Sequence, residues 1–141
     1  MLENVRIQHP IGQSRFHNGE VRVGEESISY VYDCGSEKDT ALQTAINDYA
    51  DRDGAGRLDI LFVSHPDSDH VSGLDSLLAT VETETVVLPY LSNIERLAII
   101  AKAAAGGHVT GTLSSLVSDP KECFFDRGVA RVVFVESDDG R

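Results

Sequence analysis

Six consecutive residues, His65-Pro66-Asp67-Ser68-Asp69-His70, carry two imidazoles and two carboxylates. Neutral imidazole and carboxylate are the ligands of hydrolytic zinc, manganese and iron centres, and a sharp loop can aim alternate side chains at different ions. Two carboxylates this close without a cation repel each other, and one is pushed toward its protonated form. A divalent ion removes that penalty. The competing reading is a solvated strand-to-helix loop in which Asp69 caps the helix that starts near Leu74. The block follows a buried strand and precedes Gly73 and a helix start, the context that favours ligation.

The elements that must hold this block follow from periodicity. In the N-terminal third, "VRIQH" alternates, "HNGEV" carries the Asn18-Gly19 pair of a tight hairpin turn, and "SISYVYDCG" alternates up to Gly35, so a β-meander is expected. "DTALQTAINDYA" has helical spacing, with Leu42, Ala45, Ile46 and Tyr49 on one face and Asp39 as N-cap. "DRDGAGR" ends it. "LDILFVS" is nearly continuously apolar, which predicts a central strand covered on both faces and delivering His65 at its C-terminal end. A short helix in "GLDSLLATV" and a strand in "TVVLPY", stopped by Pro89, come next. Ser92 and Glu95 have capping-box spacing before a helix whose apolar face is Leu97, Ile100 and Ala101, with Gly106-Gly107 as its stop. A helical piece "LSSLV", a loop and the strand "VARVVFVES" complete an α/β or layered α+β pattern.

Composition sets bounds. A chain of 141 residues suits one domain with a single modest core, and there is no internal repeat or low-complexity tract. No apolar run approaches the roughly 20 residues of a membrane span, and the start "MLENVRIQHP" has no basic-then-apolar leader, so the expected compartment is the cytoplasm. Cys34 and Cys123 lack metal-knuckle spacing and are expected to be free and packed. A net charge of −11 opposes a basic track for a phosphate backbone and so counts against a nuclease, unless a partner segment carries the basic surface.

"LDILFVSHPDSDHVSGLDSLL" resembles the signature of the metallo-β-lactamase superfamily: a hydrophobic strand, H-x-H-x-D-H-x-x-G, and a helix. Asp67 stands where that pattern has its second histidine, a form similar to the competence-type, nuclease-like branch, and this shifts metal preference toward harder ions such as manganese. "SYVYDCGS" resembles the family's first motif, a strand ending in Asp-x-Gly, and "TVVLPYLSNIERL" resembles the strand and helix that follow the cluster.

The resemblance implies two divalent metal ions, zinc or manganese. His65 and Asp67 would bind the first, and Asp69, with a part in catalysis, and His70 the second. Asp33, Ser64 and Gly73 would support the ligands and their loop. It also implies an αββα sandwich whose C-terminal half supplies a further histidine, a bridging aspartate and a last histidine. Downstream of the cluster only His108, in "GGHVTGT", faintly resembles a third motif, while His9 and His17 have no partner pattern.

Residues 1–141 are therefore expected to be the N-terminal half of such a domain, either a fragment of a longer chain or completed by a C-terminal half in a separate or cleaved chain. A half sandwich exposes an apolar face and strand edges, which favours a partner. "ESDDGR" reads as a site for an Arg-specific protease acting after Arg141, an arrangement suited to antiviral defence. The expected activity is metal-dependent hydrolysis of nucleic acid. The alternatives are hydrolysis of a small ester, lactone, thioester or lactam, and a non-catalytic regulatory module.

Overall fold

The computed structural model describes residues 2–8, 14–36, 39–51, 56–66, 71–107 and 109–136. Six strands form one sheet in sequential order: β1 (Leu2–Gln8), β2 (Ser14–Val23), β3 (Glu26–Ser36), β4 (Arg57–Phe62), β5 (Glu82–Pro89) and β6 (Arg131–Val135). The first three pair antiparallel, as the expected meander does, and β3 to β6 are parallel neighbours. Five helices are seen among the described residues: α1 (Asp39–Asp51), α2 (Leu74–Thr80), α3 (Asn93–Ala105), α4 (Gly111–Ser118) and α5 (Pro120–Asp126). This is the mixed α/β architecture expected from the alternation of strand and helix patterns.

The parallel half decides where the helices lie. Each crossover from β3 to β6 adds its new strand on the same side. Crossovers of the usual right-handed sense therefore stack every helix on one face of the sheet. The register shows the consequence. Val31, Leu61, Val86 and Val132 form a row across β3 to β6, and the first three are fully buried in one cluster with Leu42, Ile46, Leu74, Leu77, Leu113 and Phe124 of the helices. The next row, Tyr32, Phe62, Val87 and Val133, points the other way, and Tyr32 keeps 48% and Val133 39% of its surface exposed. The expectation that "LDILFVS" is covered on both faces is thus corrected, since its helices all arrive from one side.

Three other expectations change. Asn18 and Gly19 lie in the middle of β2, opposite Val31 and Tyr30, and the hairpin turns at Gly24, whose φ of 63° is the left-handed conformation glycine tolerates. Gly19 is needed for another reason. A β-carbon there would meet the Tyr30 ring at 2.4 Å. The loop expected after "LSSLV" contains α5, whose start is signed by Asp119 accepting from the Glu122 N–H and by Pro120 in the first turn. On α3 the apolar face also differs. Ile99, Ile100 and Ala103 pack on the core, while Leu97 and Ala101 are exposed. The capping box of Ser92 and Glu95 and the stop at Gly106 form as expected, and so does the buried face of α1 with Leu42, Ala45, Ile46 and Tyr49.

Candidate metal centre

The site forms where β3 and β4 end side by side. Asp33 is fully buried with φ 58°, a left-handed conformation that costs a non-glycine residue about 1–3 kcal/mol and needs compensation. The compensation is visible. Asp33 Oδ1 accepts the Ser64 N–H at 2.7 Å, and Asp33 Oδ2 accepts the Ser64 hydroxyl. Hydrogen bonds to a carboxylate are among the stronger ones in proteins. They fix the chain at the residue immediately before His65.

The far end of the loop is fixed by the same segment of β3. Gly73 N–H donates to the Cys34 carbonyl at 2.9 Å. Ser36 N–H donates to Ser72 Oγ at 2.9 Å, and that hydroxyl donates back to the Ser36 carbonyl at 3.0 Å. Gly73 is obligatory in this packing, because a β-carbon would lie 2.8 Å from Cys34 Sγ and 3.1 Å from the Cys34 carbonyl oxygen. Three residues within a four-residue stretch of β3, Asp33, Cys34 and Ser36, therefore bracket the loop at its entry and its exit. Ser36 and Ser72 escaped the sequence reading, since small polar residues near a turn carry no pattern of their own.

His65 stands exposed at the entry, its Nδ1 3.2 Å from Ser64 Oγ, so the hydroxyl that Asp33 holds also orients the ring. An outer partner that fixes ring orientation is what a ligating histidine requires. Beside it a cleft of about 340 Å³ opens on the uncovered face of the sheet, lined chiefly by Tyr32, Phe62, Val87, Pro89 and Val135. Asp67, Asp69 and His70 lie outside the described residues, as do His9, His108 and Arg141. Among the described residues no group of three or more His, Cys, Asp or Glu gathers as a cation site. What fits a metal here is His65 with its Asp33-Ser64 support.

Neither cysteine competes for that role. Cys34 and Cys123 are both free and buried. Burial pushes the Cys34 thiol far up, and the neighbouring Asp33 charge adds to the shift, so the nucleophilic thiolate is suppressed. Burial likewise raises Cys123. His17 lies in β2, stacked on Tyr30 with ring centroids 6.2 Å apart, and belongs to the uncovered sheet face. No helix among the described residues is long and apolar enough to cross a membrane.

Comparison with known proteins agrees with the motifs. The family model described as "Metallo-beta-lactamase superfamily" matches residues 21–91, half of the chain, running from β2 past the end of β5. No curated protein matches.

Proposed function

The chain belongs to the metallo-β-lactamase superfamily, mostly metal-dependent hydrolases, and from that premise we propose that it carries half of a binuclear hydrolase centre that cleaves phosphodiesters in nucleic acid. The observation that carries the reading is the bracket at the end of β3. It fixes both ends of a loop whose sequence is His65-x-Asp67-x-Asp69-His70. His65 and Asp67 would hold one divalent ion, zinc or manganese, and Asp69 and His70 the other. Bound there, two such ions lower the pKa of a water and neutralise charge on the scissile group. Asp33 acts as a positioning residue, holding Ser64 and through it the His65 ring. The choice of phosphodiester rests on Asp67, whose hard oxygen suits manganese.

The rest of the ligand set would come from a second half-domain outside residues 1–141. Two observations support this. His108 is the sole histidine downstream of the cluster, and the sheet leaves an apolar face, with Tyr32, Phe62, Val87 and Val133, uncovered next to His65. That half would also bring the basic surface that a chain of net charge −11 lacks. Cytoplasmic residence belongs to the same proposal.

Calorimetric titration of manganese and zinc into the chain tests the site, with His65→Ala and Asp69→Ala each expected to weaken binding at least tenfold. Assay of the chain joined to its complementary half on DNA, RNA and β-lactam substrates tests the chemistry. The expected result is metal-dependent nucleic-acid cleavage that both substitutions abolish. Lactam hydrolysis without nucleic-acid cleavage removes the nuclease reading, and activity indifferent to both substitutions makes the chain a regulatory module.

A further inference from the structure

We propose that α3 is the contact through which two copies of this chain associate, with the two helices packed antiparallel. Helix α3, with sequence NIERLAIIAKAAA, has no fully buried residue although nine of its thirteen positions are Ile, Leu or Ala. One face, through Ile99, Ile100 and Ala103, reaches the core. At 100° per residue, Ile94, Leu97, Ala98, Ala101, Ala104 and Ala105 form a second stripe on the opposite side, at the i, i+3, i+4, i+7 spacing of a helix–helix seam. All six are exposed, and Ile94 keeps 79% and Leu97 70% of its surface. A solvent-facing stripe of this kind is the usual mark of an interaction surface.

Two features of the stripe select a second copy as its occupant. The first is size. The large residues Ile94 and Leu97 lie toward the N-terminal end, Ala98 near the middle and Ala101, Ala104 and Ala105 toward the C-terminal end, so antiparallel self-pairing sets each large side chain against the partner's small ones. Alternation of large and small across facing positions is how helix seams fill space, whereas a parallel pair would stack Ile94 on Ile94 and leave the alanine end loose.

The second feature is charge. Glu95 and Lys102 are seven residues apart and flank the same side of the stripe. In an antiparallel two-fold pair that side faces its own copy, and a two-fold axis midway between residues 98 and 99 brings each Glu95 level with the partner's Lys102. The same axis sets Leu97 between the partner's Ala98 and Ala101. The helix also carries two bases, Arg96 and Lys102, against one acid, so it is locally cationic in a chain of net charge −11 and escapes the general self-repulsion. Since α3 lies on the helical side of the sheet, this contact is separate from the uncovered sheet face and does not compete with a layer bound there.

Sedimentation velocity on the chain tests the proposal. The wild type is expected to run as a dimer of 15.3 kDa subunits at a concentration of about 100 μM. Leu97→Glu, at an exposed position that folding tolerates, should weaken the dimer on the order of tenfold or more, because it buries a charge in the seam. Lys102→Glu and Glu95→Lys should each weaken it alone, and mixing the two variants should restore it, since every flanking pair is then of opposite sign. Val133→Lys, on the uncovered sheet face, should leave the dimer intact.

Orientation is read by disulfide trapping. Ile94→Cys mixed with Ala104→Cys should cross-link, whereas Ile94→Cys alone should not, its two copies lying about 13 Å apart along the antiparallel axis. A monomeric wild type, a dimer lost in Val133→Lys but kept in Leu97→Glu, or trapping by Ile94→Cys alone overturns the proposal.

Discussion

Two neighbouring rows of the same sheet have opposite fates. Val31, Leu61 and Val86 are sealed beneath the helices, while Tyr32, Phe62, Val87 and Val133, each one residue further along its strand, look out from the other face. Both rows are apolar. The difference is therefore made by topology, through crossovers that all return on one side. Side-chain type alone would have predicted two covered faces. A row of aromatic and branched residues left open in this way, with Phe62 packed edge-on to Tyr30 and tilted against Tyr32, has the apolar composition of a core, and the proposed second half-domain would cover it.

The largest expected effect breaks or upholds this contrast directly. Leu61→Ala removes a fully buried side chain from a filled core and should lower stability by about 2–5 kcal/mol. Phe62→Ala, one residue on, should cost the isolated chain clearly less, because its ring already meets solvent on one side. Urea denaturation with an unchanged slope measures both. Equal losses would mean that the second face is covered already. A Phe62→Ala cost that grows when the complementary half is bound would identify the covering layer.

Much of the architecture was legible from the chain because local signals were strong. The helix of Leu42 to Tyr49, the capping box at Ser92 and Glu95 and the strand leading to His65 each follow from periodicity or a named cap. The failures came where tertiary geometry outranked local pattern. Asn18-Gly19 looks like a turn but serves as a strand segment, with the glycine making room for Tyr30. Leu97 looks like a core residue but faces solvent, because α3 has two apolar sides and sequence cannot say which one the sheet receives. At the site, the spacing of His65 and its neighbours and the strand end at Asp33 were plain in the sequence. The second tie, from Ser36 to Ser72, was not, since two serines 36 residues apart announce no pairing.

Next in size are changes at the bracket, where the two rows end. Asp33→Ala leaves the Ser64 N–H and hydroxyl without their acceptor in a part-buried site, an expected loss of about 1–3 kcal/mol. Metal affinity should fall by about 10–100-fold, as is typical when the support of a ligand is removed. Asp33→Asn retains an acceptor and should be milder on both measures. Metal affinity unchanged in Asp33→Ala would show that the His65 loop holds its shape without β3.

A pair of glycines then compares the two faces at constant chemistry. Gly73→Ala drives a methyl into Cys34 Sγ and the Cys34 carbonyl, backbone that cannot retreat, and should cost about 1–3 kcal/mol. Gly19→Ala meets only the end of the Tyr30 ring on the uncovered face. That ring can swing toward solvent, so the expected loss is about 0.5–1 kcal/mol, close to or below the strand's own preference scale. Thermal unfolding of the two variants side by side is the check, and a Gly19→Ala loss as large as that of Gly73→Ala would mean that Tyr30 is pinned from outside.

The smallest effect lies on the outer surface of the helical layer, where Asp75 at the start of α2 accepts from Thr112 of α4 and from Arg127 at the end of α5. Partial burial pushes the Asp75 carboxyl up, but the Thr112 hydroxyl and the Arg127 guanidinium together outweigh it and hold it below the usual carboxylate range. A carboxyl lowered in the folded state adds stability that is fully present above its unfolded value, near pH 4, and is lost as pH falls through the folded value. Asp75→Asn keeps the shape and removes the titration. Wild type should therefore exceed Asp75→Asn by about 0.2–1 kcal/mol at pH 6, the range for a solvent-exposed pair, and the gap should close below pH 4. Urea midpoints measured across that window decide it. A gap that persists in acid would assign the contribution to hydrogen-bond geometry among α2, α4 and α5 and not to the carboxylate charge, and added salt, which screens only the charge, would then leave it unchanged.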